Sequence, residues 1–123
     1  MTAETVRQEL ADAVSTIDGI TCFPNYKDGK PGTAYVEFLR TEYPPVHGVL
    51  GGEDYWGIVV VLPDDLAAAQ QFMDTHRGPL RQALMPAAGP KWLIVTQIRP
   101  ALVALPDNPS TKTMVVEGHR AEE

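Results

Sequence analysis

The sequence predicts an α+β fold: a mixed, mainly antiparallel β-sheet with two main helices packed on it, plus a terminal β-hairpin. Three observations predict it. An apolar run, Ile58-Val59-Val60-Val61-Leu62, stops at Pro63-Asp64-Asp65, gives way to a helical pattern, and resumes as Trp92-Leu93-Ile94-Val95-Thr96-Gln97-Ile98, a strand-helix-strand unit. An amphipathic helix opens the chain. Near its end, Ala101–Leu105 and Thr113–Gly118 flank the turn Pro106-Asp107-Asn108-Pro109-Ser110 and can pair as a hairpin.

In the opening helix Val6, Leu10, Val14 and Ile17 share one face, while Glu4, Arg7, Glu9 and Asp12 face away. Thr2 or Thr5 can cap its first turn, and Asp18-Gly19 supplies a left-handed stop. Ile20 to Phe23 then reads as a short strand, and Tyr26 to Gly32 as a loop: Asp28-Gly29 favours positive φ, and Pro31 removes a donor. Ala34, Val36 and Phe38 alternate with Tyr35, Glu37 and Leu39, the period of a half-buried strand. Tyr43 to Asp54 is a longer loop with Pro44-Pro45 and three glycines, the kind of segment that serves as a working surface.

The main helix places Leu66, Ala69, Met73, His76, Leu80 and Leu84 on its inner stripe, with Phe72 beside it and Asp64 as cap. Gly78-Pro79 interrupts it, and a helix-interior proline costs about 3 kcal/mol, so a kink or two short helices are expected. Met85 to Pro90 ends helical structure. Arg99-Pro100 breaks the next strand, Ala101 to Leu105 continues it after a bend, and Ala121-Glu122-Glu123 reads as a frayed acidic end.

A chain of 123 residues fits a single domain spanning 1–123, with 44% apolar and 21% charged residues, ordinary values for a globular protein. No apolar run approaches the roughly 18 residues of a membrane span, and Glu4 and Glu9 stand where a signal peptide would be basic and then apolar. The expectation is a soluble protein used without secretion, with no membrane partner. Sixteen acidic against ten basic residues give a formal charge of −6, the wrong sign for gripping nucleic acid. Cys22, the single cysteine, sits among apolar residues with no basic neighbour and reads as a buried thiol.

Little in the sequence carries chemistry. His47, His76 and His119 lie too far apart to form a recognisable ligand pair, so no metal is expected. Asp64-Asp65 and Glu53-Asp54 are paired carboxylates with plainer roles, a helix cap and a loop closure. Gly48-Val49-Leu50-Gly51-Gly52 lacks the lysine and hydroxyl of a phosphate loop and precedes a strand. No cofactor and no catalytic residue are expected. Tyr26, Tyr43 and Tyr55 sit in or beside loops, where aromatics supply interface area, and Trp56 suits the core at a strand entrance.

Three segments in order carry a resemblance: the opening helix running into Val14-Ser15-Thr16-Ile17-Asp18-Gly19-Ile20-Thr21; Trp56-Gly57-Ile58-Val59-Val60-Val61-Leu62-Pro63 followed by Asp65 to Leu84; and Val115-Val116-Glu117-Gly118-His119-Arg120. In element order and length the chain resembles the tail terminator proteins of long-tailed, siphovirus-type bacteriophages, particularly those of actinobacteria. The Gly78-Pro79 break and the Pro44-Pro45 loop have no counterpart in that pattern. The resemblance implies helices packed on a mixed sheet and a structural, non-enzymatic virion protein of the tail neck, assembled in the host cytoplasm. It implies a hexameric ring on the head-proximal end of the tail tube, with the tail tube protein and a head-completion protein as partners. Six such copies at −6 each carry about −36, and acidic lumen walls would let DNA slide through without specific binding. The loops suggest ring contacts through Tyr26, Lys27 and Lys30, and through Tyr43, Pro44, Pro45, His47, Glu53 and Asp54.

Three other readings fit less well. Another phage neck or head-tail joining subunit would share size, acidity and symmetry. A small α/β ligand-binding dimer would need polar groups converging inside the fold, and His76, Cys22 and Gln97 are scattered. An acidic DNA mimic would need carboxylates at phosphate-like intervals, whereas these cluster at helix ends and loops.

Overall fold

The structure, a computed structural model, describes residues 2–43, 52–85, 93–106 and 108–121. Among them are two helices and one five-stranded sheet, in the order α1 (Ala3–Val14), β1 (Thr21–Phe23), β2 (Thr33–Glu42), β3 (Glu53–Val61), α2 (Leu66–Leu84), β4 (Ile94–Leu105) and β5 (Asn108–Ala121). The fold is α+β, as the sequence predicts. The strands lie in the order β1-β2-β3-β5-β4, and every neighbouring pair is antiparallel except β1 with β2. Both β3 and β4 run antiparallel to β5, so the strand-helix-strand unit is split, with the last strand inserted between its two strands. No helix of the described residues is long and apolar enough to cross a membrane.

Both helices pack on one face of the sheet. Val6, Leu10, Ala11 and Val14 of α1 and Ala69, Leu80 and Leu84 of α2 meet Trp56, Ile58, Val60, Met114 and Val116. Thr2 caps α1 by accepting a hydrogen bond from Thr5 N, and Ile17 packs on the core beyond the helix end. Two residues expected to face away do not. Arg7 lies 5.8 Å from the Trp56 ring centroid, and Glu9 approaches the buried Arg120 at 3.6 Å. Trp56 itself is core, although its Nε1 has no hydrogen-bond partner among the described residues.

Several local expectations are corrected. Asp65, not Asp64, caps α2, accepting from Ala68 N. Leu66, assigned to the inner stripe, is exposed, because the stripe starts only at Ala69. The helix runs through Gly78-Pro79 without a break; tertiary packing of Leu80 and Leu84 outweighs the lost hydrogen bond. Likewise β4 passes through Pro100, which an edge strand tolerates because one side of its backbone has no partner. Positive φ occurs at Gly19 and Gly32 rather than in Asp28-Gly29, where Asp28 Oδ1 instead accepts from Lys30 N. Ala121 continues β5 opposite Glu53 rather than fraying. The expected turn at 86–90, Trp92, and Glu122-Glu123 lie outside the described residues.

The continuous apolar run of β3 is explained by burial on both faces: Val59 and Val61 point away from the helices and are still buried. Because β1 and β2 are parallel, the chain must return from Phe23 to Thr33 along the sheet, and it does so on the face opposite the helices. There Tyr26 packs edge-on against Tyr35, and a Cβ added at Gly29 would stand 3.4 Å from Cδ1 of Leu105 in β4, three strands away from β2.

Candidate interaction surfaces

Two stretches of the sheet's outer edge, β1 and β4, are blunted. The hydroxyl of Ser15 donates to Cys22 O and accepts from Cys22 N, satisfying the outward backbone groups of β1. Pro100 and two register shifts, between Val95 and Gln97 and between Val103 and Leu105, interrupt the edge of β4. Such features discourage strand addition at β1 and β4, whereas Val36–Glu42 of β2 has no strand on its outer side.

Three surfaces present themselves. The first is a polar network on the sheet face opposite the helices. Arg40 Nε lies 2.5 Å from Glu42 and its Nη1 3.2 Å from Glu117, with the guanidinium 4.1 Å from the Tyr55 ring centroid. Gln97 donates to the other Glu117 oxygen, and His119 Nδ1 stands 2.9 Å from Glu53. The Gln97 hydrogen bond, and then that of Arg40, hold the Glu117 carboxyl below the usual carboxylate range against the opposing effect of burial. The network satisfies itself and presents no activated nucleophile.

The second surface is an apolar groove of about 440 Å³ between α2 and β4, lined by Leu62, Leu66, Ala69, Met73, Pro100 and Leu102. Leu66 is 63% exposed and Leu102 70%. Lys112, directly opposite Leu102 in the β4–β5 ladder, also lines the groove and forms no ion pair among the described residues. The third surface is the free flank of β2. Pairing with β1 ends at Tyr35, leaving Val36–Glu42 as the sheet's edge, with Phe38 40% and Tyr43 66% exposed. Glu37, exposed and without an ion pair among the described residues, precedes Phe38 and, opposite Gly57 in the ladder, points to the other face of the sheet.

The structure disperses the residues expected at ring contacts. Tyr26 lies half-buried on Tyr35, Lys27 sits 4.5 Å from the Phe23 ring centroid, and Lys30 is exposed in the turn into β2. Much of that loop is thus used to cover its own sheet. Glu53 and Asp54 belong to β3 and not to a loop: Asp54 accepts from the Thr41 hydroxyl at 2.6 Å, and Glu53 meets His119. The hairpin stem extends to them because Thr41 and Glu42 find partners across the ladder, which period-two burial alone does not reveal. Pro44, Pro45 and His47 lie outside the described residues. Tyr43 alone of the aromatics named as interface candidates is largely exposed.

Sequence reasoning missed Leu66, Leu102, Phe38 and Lys112 as surface features. A signal existed for Leu102: a leucine in a run containing proline belongs to an edge strand. None existed for Phe38, whose helix-side position is covered only partly, by Trp56 at 5.1 Å.

The remaining reactive side chains are dispersed. Cys22 is buried, and burial pushes its thiol up to about 12. His76 Nδ1 and Nε2 lie 2.8 Å and 3.2 Å from the carbonyl oxygens of Phe72 and Asp18, joining α2 to the turn before β1. No group of three His, Cys, Asp or Glu among the described residues could hold a metal ion. No protein-family model matches the chain, and no curated protein matches it significantly.

Proposed function

We propose that this protein is a ring-forming structural subunit that caps the head-proximal end of a phage tail tube, a tail terminator acting as a hexamer. Its mechanism is geometric. One face of the ring copies the contacts of a tube ring; the other denies the next tube subunit a docking surface and receives the head-completion protein. No bond is made or broken.

The observation that carries this reading is the placement of apolar surface. The large apolar side chains that are exposed among the described residues, Phe38, Tyr43, Leu66 and Leu102, fall at the two lateral sides of the sheet, while β1 and β4 are blunted by Ser15 and Pro100. A subunit with a neighbour on each side needs that arrangement. The fold class agrees with what the resemblance implies, and the formal charge of −6 suits a wall beside passing DNA.

Light scattering on the purified protein, alone and mixed with tail tubes, followed by negative-stain imaging, tests the proposal. A six-subunit ring, or density at one tube end with tube length fixed, is expected. A stable dimer indifferent to tubes refutes it.

A further inference from the structure

We propose that the open stretch of β2, Val36–Glu42, pairs antiparallel with the same stretch of a second copy of this chain across a two-fold axis, joining the two sheets into one. The contact goes beyond the capping reading and does not rest on it.

The backbone sets what this edge requires. Ser15 occupies the outward N–H and C=O of Cys22, so Thr21 and Phe23 turn theirs toward β2, and Thr21 N donates to Gly32 O. Backbone groups alternate in direction along a strand, which puts those of Phe38 on the same outer side as Gly32 O, beyond the last β1 pair at Tyr35. Leu39 then has no partner in β3: Phe38 lies opposite Trp56 and Arg40 opposite Tyr55. This bulge shifts the alternation by one, and the next outward residue is Thr41. No described strand meets Phe38 or Thr41 on that side.

The bulge selects the occupant. Phe38 and Thr41 are three positions apart, whereas a regular strand turns its donors and acceptors out at every second position. A regular strand that satisfies one of them misses the other. A second copy running the opposite way carries the same spacing reversed, so Phe38 of each chain faces Thr41 of the other and both are met at once. The blunted β1 and β4 leave no competing place on that copy's described edges. The surface is the same on both chains, and the contact closes at two. On the helix side it covers part of Phe38, which is 40% exposed beside Trp56. On the other face, where Glu37 and Glu42 stand opposite Gly57 and Glu53, the same register sets Glu37 against Glu42 of the second copy. That like-charge pair weakens the contact and keeps it reversible. Phe38 also belongs to the lateral surface of the capping reading, so the contact holds free subunits and is given up where a ring forms.

Cysteine cross-linking reads the register. Positions 37 and 42 of opposite chains form a non-hydrogen-bonded pair with Cα atoms about 4.5 Å apart, within disulfide range. Both are exposed, and the buried Cys22 does not compete. Glu37→Cys mixed with Glu42→Cys should form a covalent dimer under mild oxidation at least about tenfold faster than either variant alone, whose like positions are roughly 17 Å apart. Sedimentation velocity, with folding verified by thermal melting, gives the second readout. Thr41→Pro removes the outward N–H without taking a bond from the β2–β3 ladder and should weaken dimerisation at least about tenfold. Thr41→Val, which loses only the hydrogen bond to Asp54, should dimerise as the wild type does. Glu37→Lys should tighten the dimer at least about twofold. A wild type that stays monomeric up to its solubility limit, a mixture that cross-links no faster than its parts, or a Thr41→Pro protein that dimerises like Thr41→Val overturns the proposal. Dimerisation in this register without tube capping refutes the ring reading and leaves the contact standing.

Discussion

Replacing Gly118 with alanine should destabilise the protein, although glycine-to-alanine changes in regular structure usually do the opposite. Gly118 lies in β5 between Trp56 of β3 and Val95 of β4. A Cβ at this position would stand 2.6 Å from the carbonyl oxygen of Ile94 and 2.7 Å from Cγ of the fully buried Leu93. The carbonyl is backbone, so no rotamer change relieves the contact. Overpacking of this kind costs roughly 1–3 kcal/mol. The narrower unfolded ensemble of alanine returns about 0.4–1 kcal/mol. The net loss is about 1–2 kcal/mol, or roughly 3–10 °C in melting temperature for a chain of this size. Gly78 is the control. It sits inside α2, and apart from its chain neighbours and its own helix an added methyl there would meet nothing within 4 Å; the methyl before Pro79 disfavours the helical conformation, so Gly78→Ala should gain less than the usual helix-interior value of about 0.5–1 kcal/mol and change stability less than Gly118→Ala. Urea unfolding followed by circular dichroism measures both. A Gly118→Ala protein as stable as the wild type, or one that loses no more than Gly78→Ala, refutes the packing argument.

Two further expectations concern titrating groups. Burial pushes the Cys22 thiol up to about 12, so at neutral pH a thiol reagent should label it only as fast as the protein opens; rapid labelling of the native state contradicts its placement. The Glu117 carboxyl is held low chiefly by Gln97, so its stabilising contribution is complete above the unfolded value of about 4.3 and is lost as the pH falls through the lower folded value. Gln97→Leu should therefore raise the Glu117 value and flatten the acid limb of stability against pH. An unchanged carboxyl titration by NMR would show that Gln97 does not set it.

Much of the architecture is legible in local patterns. The spacing of Val6, Leu10 and Val14 marks the inner face of α1, and the run Ile58–Leu62 announces a strand, which the structure buries on both sides. What covers the second side is not legible, because it brings together positions remote in sequence, such as Gly29 and Leu105, whose Cδ1 would stand 3.4 Å from a Cβ added at Gly29. The two prolines mislead for the same reason. Pro79 is held in helix by the packing of Leu80 and Leu84, and Pro100 in strand by the open side of an edge, and both conditions are tertiary.

The candidate surfaces divide similarly. Tyr43 is recognisable as an exposed aromatic beside a loop, but the expected loop contacts of Glu53 and Asp54 dissolve into β3 once Thr41 and Glu42 pair across from them. Lys112 and Leu102 become neighbours only through the β4–β5 register. By itself the sequence determined the fold class, the two helices, the buried character of Cys22 and the acidic balance, since these depend on composition and short-range periodicity. Only the tertiary structure decided the strand order, the insertion of β5 between β3 and β4, and which apolar side chains remain uncovered. Those outcomes depend on which surfaces the chain brings together, and a period along one element carries no information about its neighbour.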